Sequence, residues 1–148
     1  MSKRRATVML IDDSKADQTM IKRALEDGAI AVDLLIANNG EEALAILNER
    51  NHNDAQPHLI LLDINMPVMG GIETLNFIKA DDNLKHIPVV MLTTSKRDQD
   101  VIESYKFGVN AYLTKPVGHL DFINVIKQLE TFWFELVVLP KQPREQYE

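Results

Sequence analysis

Short apolar runs alternate along the chain with stretches that carry apolar residues at helical spacing. The first run, Thr7-Val8-Met9-Leu10-Ile11, stops at Asp12-Asp13. Ser14 is placed to cap a helix over about residues 14–27, and Gly28 is its stop signal. A second run over 32–37 mixes aliphatics with one polar residue, after which Gly40-Glu41-Glu42 opens a helix with Ala43, Leu44, Ile46 and Leu47 on one side. Residues 51–57 are polar, end in proline and read as a loop. Leu59-Ile60-Leu61-Leu62 is continuously apolar, as a strand buried on both faces requires, and it ends at Asp63. The turn-rich Met66-Pro67-Val68-Met69-Gly70-Gly71 leads into a helix over about 72–80. Val89-Val90-Met91-Leu92 follows Pro88 and ends at Thr93, and a helix over about 98–107 stops at Gly108. Ala111-Tyr112-Leu113-Thr114 ends at Lys115-Pro116, and a last helix runs from near Gly118 at least to Thr131. Strands alternating with helices at this spacing predict an α/β fold, a doubly wound (βα)5 parallel sheet with helices on both faces.

The polar residues that end these runs are not scattered. Asp12 and Asp13 follow strand one, Asp63 strand three, Thr93 strand four and Lys115 strand five, so all lie along one carboxyl edge of the sheet. Ligands of open α/β sheets bind at that edge, where the strand order reverses. In the order 2-1-3-4-5 this point falls between strands one and three, where the three aspartates are. Clustered carboxylates repel one another unless a cation neutralises them, and oxygen-only ligands without nearby Cys or His favour a hard ion, Mg²⁺ before Ca²⁺ or Mn²⁺. A carboxylate can itself serve as a nucleophile and form an acyl phosphate. Lys115 would supply a point charge and Thr93 a hydroxyl donor to phosphoryl oxygens. Taken alone, Asp12 and Asp13 would be no more than caps of the first helix, and Tyr112 an ordinary half-buried strand residue. The combination with Asp63 and Lys115 favours a metal and phosphoryl site.

Composition narrows the alternatives. The 148 residues fit one domain, with 45% hydrophobic and 26% charged residues, the balance of a globular protein. A net charge of -6 works against binding a nucleic-acid backbone, and Lys3-Arg4-Arg5 is a short basic cluster read as a solvated end. There are no cysteines, which removes thiolate chemistry and suits a reducing cytoplasm. No segment approaches the ~20 apolar residues of a membrane span. The four histidines, His52, His58, His86 and His119, are dispersed without ligand spacing, and no Gly-rich nucleotide loop is present.

The set Asp12-Asp13, Asp63, Thr93, Tyr112 and Lys115-Pro116, with the stretch Asp63-Ile64-Asn65-Met66-Pro67-Val68-Met69-Gly70-Gly71, resembles the CheY-like receiver domains of response regulators. The resemblance spans about residues 6–131 and implies a flavodoxin-like fold. It implies that Asp63 accepts a phosphoryl group from a histidine kinase. It further implies that Asp13 and Asp63 bind Mg²⁺ together with the backbone carbonyl of Asn65, with Asp12 acting through water. Lys115 would bridge to the phosphoryl group, Thr93 would swing toward it, and Tyr112 would move inward as the second switch residue. The Lys115–Pro116 bond is often cis in this family. Thr94 stands where many receivers carry a smaller residue, which suggests hindered phosphate access, and Asn65 and Ser95 occupy positions that tune dephosphorylation.

Residues 132–148 form a C-terminal extension beyond the receiver. Phe132-Trp133-Phe134-Glu135-Leu136-Val137-Val138-Leu139 is apolar at seven of eight positions before Pro140 and Pro143. One helix face cannot bury apolar residues on all sides, so the segment is expected to form a homodimer interface with the last helix. Attachment to a membrane surface is disfavoured by the acidic charge. Phe132-Trp133, Leu139-Pro140 and the middle stretch over 81–88 resemble the single-domain receivers that partner bacterial phytochrome kinases. The expected protein is therefore a cytoplasmic single-domain regulator that acts through protein contacts. Three other readings are weaker. A phosphate-independent interaction module would not need the full acid set. A haloacid-dehalogenase-like phosphatase would need an acid where Asn65 stands. A DNA-binding regulator would need a further domain and a different charge.

Overall fold

A computed structural model describes residues 5–28, 31–52, 55–136 and 138. Ten elements alternate: β1 (Arg5–Ile11), α1 (Lys15–Glu26), β2 (Ala31–Ala37), α2 (Gly40–His52), β3 (Leu59–Leu62), α3 (Gly71–Ala80), β4 (Val89–Thr93), α4 (Asp98–Lys106), β5 (Ala111–Thr114) and α5 (His119–Thr131). The five strands are parallel in the order β2-β1-β3-β4-β5, as the pattern predicts. The loop expected from residue 51 starts later, because Asn51 and His52 complete the last turn of α2.

The two-residue period of a strand explains why continuous apolar runs are needed. In β1, Val8 and Leu10 join a core with Ile21, Ala24 and Leu25 of α1 and Phe122, Ile126 and Leu129 of α5. Their neighbours Met9 and Ile11 turn to the opposite core with Leu47 of α2 and Leu75 and Ile78 of α3. β3 divides in the same way, Leu59 and Leu61 to one face and Ile60 and Leu62 to the other. All four side chains of β3 are fully buried.

Local signals set the element ends. The Ser14 hydroxyl accepts the Asp17 backbone N–H at 3.2 Å, capping α1. α4 closes through Gly108 at φ +98°, whose N–H donates to the Tyr105 carbonyl while the Val109 N–H donates to the Ser104 carbonyl. This paired ending needs a left-handed residue, which glycine adopts without penalty.

α5 continues into a π-helical turn, Phe132–Leu136. Here the extension departs from a uniformly exposed interface. Phe134 is 5% exposed and packs in the α1/α5 core, so it is a core residue of its own chain rather than a free interface residue. Trp133 is half-buried against the same core, Phe132 is exposed, and their rings meet edge to face with centroids 5.7 Å apart. Val138 is exposed. Val137 and Leu139 lie outside the described residues, as does the side chain of Leu136. Among the described residues, no helix is long and apolar enough to cross a membrane.

Candidate functional site

Pairing between β1 and β3 places Ile11 opposite Leu62, so Asp12 and Asp63 leave adjacent strands at the same level. The Asp63 N–H donates to the Ile11 carbonyl at 2.9 Å and the Asp12 N–H to the Ala37 carbonyl at 3.0 Å, continuing the ladder into the site. Asp12 is fully buried, Asp63 nearly so, and Asp13 exposed. Carboxylate oxygens of Asp12, Asp13 and Asp63, one from each, all lie within 4.8 Å of one another. That oxygen-only donor set fits a hard divalent cation.

The geometry orients each acid differently. Asp12 Oδ1 accepts the Ser14 N–H at 2.9 Å, while Oδ2 faces Lys115. Asp63 Oδ1 accepts the Ile64 N–H at 2.8 Å, leaving Oδ2 toward Lys115. Gln18, buried on α1, donates to the Asp12 carbonyl and to Asn38 Oδ1, fixing the strand end from behind. The β3–α3 loop is held close to Asp63 by Gly71, whose N–H donates to the Ile64 carbonyl at 2.8 Å. A Cβ on Gly71 would stand 2.1 Å from the Asp63 carbonyl oxygen, so the approach requires glycine.

Lys115 is the buried cation of the cluster. Its Nζ lies 2.5 Å from Asp12 Oδ2, 2.8 Å from Asp17 Oδ2 and 3.5 Å from Asp63 Oδ2. Burial alone would push its pKa down, but the hydrogen bonds to Asp12 and Asp17 outweigh this and the ammonium is pushed up to about 12. Asp12 is raised above the usual carboxylate range because burial disfavours its anion. Hydrogen bonds from Lys115 and the Ser14 N–H oppose that rise, and the Asp63 charge adds to it. The Lys115–Pro116 bond is trans, so the cis form that the resemblance suggests is not adopted here.

Thr93 is fully buried at the end of β4, and its hydroxyl accepts the Ser95 N–H at 3.3 Å. Ser95 leads outward: its hydroxyl donates to Asp100 Oδ2 at 2.6 Å, and its carbonyl accepts the Tyr112 hydroxyl at 2.9 Å. Burial raises the Tyr112 phenol above its usual range, opposed by the bond to Ser95 and reinforced by the Asp100 and Asp63 charges. Asp100, buried in the first turn of α4, is also the residue whose carbonyl accepts the Ser104 hydroxyl at 2.7 Å. Thr94 and Asn65 are exposed at the rim.

Asp12, Asp13, Asp63 and Lys115 thus converge at the carboxyl edge, and Thr93 and Tyr112 are linked through Ser95. Two parts of this network leave no mark in the sequence. Asp17 stands in the first turn of α1, where an acid needs no further reason, and nothing in the sequence ties Asp100 to Ser95, which is singled out only by its place beside the site.

This arrangement is that of a phosphotransfer receiver, and the chain belongs to the response regulator receiver domain family, which it matches over residues 8–127. The response regulator Rcp1 of Synechocystis sp. is 42% identical over 135 residues, 90% of this chain and 92% of that protein. The structure of a phosphorylated cyanobacterial phytochrome response regulator, RcpA, superposes with a TM-score of 0.88 at 37% identity, covering 93% of this chain and 99% of that one. The Mn²⁺-bound form of Rcp1 superposes with a TM-score of 0.86 at 41% identity, covering 92% of this chain and 99% of that one.

Proposed function

We propose that Asp63 is the phosphoacceptor of this response regulator and that its donor is the phosphohistidine of a histidine kinase, of phytochrome type. The observation that carries the reading is the position of Asp63 Oδ2, directed toward the Lys115 ammonium at 3.5 Å beside Asp12 and Asp13. In the transfer, an Asp63 carboxylate oxygen attacks phosphorus and the P–N bond to the kinase histidine breaks. The bond's electron pair stays on the imidazole nitrogen, and Asp63 becomes an acyl phosphate. Lys115 neutralises charge on the phosphoryl oxygens, and the Thr93 hydroxyl donates to one of them. Mg²⁺, which Asp13, Asp63 and the backbone carbonyl of Asn65 would hold with Asp12 acting through water, would offset the repulsion between the phosphate and the carboxylates.

The phosphoryl group adds about -1.5 to -2 charges at the edge. Drawing Thr93 inward withdraws its oxygen from the Ser95 N–H, and Ser95 holds both Tyr112 and Asp100 of α4. The signal therefore reaches α4 and β5 as a shift between two arrangements of these contacts. The phytochrome assignment is supported by the likeness to RcpA over most of both chains. Exposed Phe132 and Val138 support a homodimer formed through α5 and the extension.

The deciding experiment is intact-protein mass after incubation with Mg²⁺ and acetyl phosphate. Wild type should gain one phosphoryl increment and Asp63→Asn none. If neither protein gained a phosphoryl group, the chain would instead be a phosphate-independent interaction module with a receiver fold.

A further inference from the structure

Lys115 donates more closely to Asp17 than to the proposed phosphoacceptor, and α1 rather than the sheet supplies that partner. The ammonium has three N–H donors, and its nearest acceptors are Asp12 Oδ2 at 2.5 Å and Asp17 Oδ2 at 2.8 Å, with Asp63 Oδ2 farther at 3.5 Å. Asp17 is the third residue of α1, where an acid is favoured by the helix dipole alone. A helix-end role does not require its carboxylate to reach across to Lys115, the residue that follows β5, and the Ser14 cap uses the Asp17 backbone N–H rather than its side chain. The Asp17 side chain is 24% exposed while Lys115 is 4% exposed, so the contact is reached by solvent from one side only.

We propose that Asp17 is a positioning residue that holds the Lys115 ammonium toward α1 and withholds it from the phosphoryl group on Asp63. The inference rests on the reading of Asp63 as phosphoacceptor. Before transfer, Asp17 shares the lysine with Asp12. During transfer, the phosphoryl oxygens must draw it away from Asp17, and the cost of that exchange lowers both the rate of phosphorylation and the occupancy of the phosphorylated form. The exchange also leaves the Asp17 carboxylate without its lysine at the start of α1, so α1 receives a signal of its own, separate from the route through Thr93 and Ser95.

Acetyl phosphate with Mg²⁺ provides the test. An Asp63 oxygen attacks phosphorus, the P–O bond to the acetyl group breaks, and acetate leaves with the electron pair. Asp17→Asn keeps the backbone cap and the side-chain size but removes the charge. It should raise the initial phosphorylation rate about fivefold, the scale of a partly exposed ion pair. It should also tighten binding of the beryllium trifluoride anion, measured calorimetrically, by a similar factor. In a Lys115→Met background the same Asp17→Asn change should alter neither quantity, which separates lysine positioning from general removal of negative charge. A thermal melt of Asp17→Asn at the wild-type midpoint confirms that folding is not the cause, and Asp17→Ser serves as a second variant if the first is unstable. The proposal is overturned if wild type is phosphorylated on Asp63 while Asp17→Asn is no faster and binds the anion no tighter, or if the full effect persists without Lys115. If wild type takes up no phosphate at all, the Asp63 reading fails and takes this inference with it.

Discussion

Single residues in the site carry tensions that the surrounding fold tolerates. Val68, exposed in the β3–α3 loop, stands at φ +68°, and the Met69 N–H closes a tight turn on the Pro67 carbonyl at 2.7 Å. A β-branched residue with positive φ costs about 1–3 kcal/mol. Val68→Gly should therefore raise stability by about 1 kcal/mol in urea unfolding, after allowance for the greater freedom of glycine in the unfolded chain; an unchanged or lower midpoint would show that the turn is not strained. Asp12, Asp13, Asp63, Thr93 and Lys115 were legible as residues because each interrupts an apolar run at a strand end. Asp17 was not, because an aspartate three positions after a capping serine already has a sufficient local explanation. Its reach to Lys115, just beyond the end of β5, depends on how α1 packs against α5, which no local pattern records.

At the level of elements, β3 and β4 are legible from their apolar runs because burial on both faces leaves no position in them exposed to solvent, whereas the edge strands β2 and β5 are half-buried and keep an exposed polar residue each, Asp33 and Thr114. The extension was harder. In a segment apolar at nearly every position, no pattern says which side chain turns inward, and the π-helical turn shifts the facing of each residue from that of a regular helix. Phe134 therefore anchors the segment in the core. Phe134→Ala should cost about 3–5 kcal/mol in unfolding free energy, while Phe132→Ala should leave stability nearly unchanged and weaken self-association in sedimentation. The reverse pattern would mean that the segment is docked the other way round. The start of α3 makes a comparable demand. Gly71→Ala forces a Cβ onto the Asp63 carbonyl and should lower both stability, by about 2 kcal/mol or more, and phosphorylation rate. Gly70→Ala, whose Cβ would stand 3.2 Å from the Ile64 carbonyl, should be milder in both.

Across the whole molecule, the sheet brings carboxylates from separate stretches of chain into one cluster, so folding and cation binding are linked. An ion that binds the folded state alone stabilises it by about 2.7 kcal/mol at one hundred times its dissociation constant. Mg²⁺ should raise the thermal midpoint of wild type and chelation should reverse the rise, whereas Asp12→Asn should blunt the response. A midpoint indifferent to Mg²⁺ would remove the cation from the proposed mechanism. The register that sets this linkage has a further consequence. Ile11 faces Leu62, and a slip of one residue between β1 and β3 would turn Asp63 to the opposite side of the sheet. The acidic cluster is thus a gauge of correct strand alignment: during refolding, the appearance of a Mg²⁺-responsive signal would mark the moment at which the two central strands lock into step.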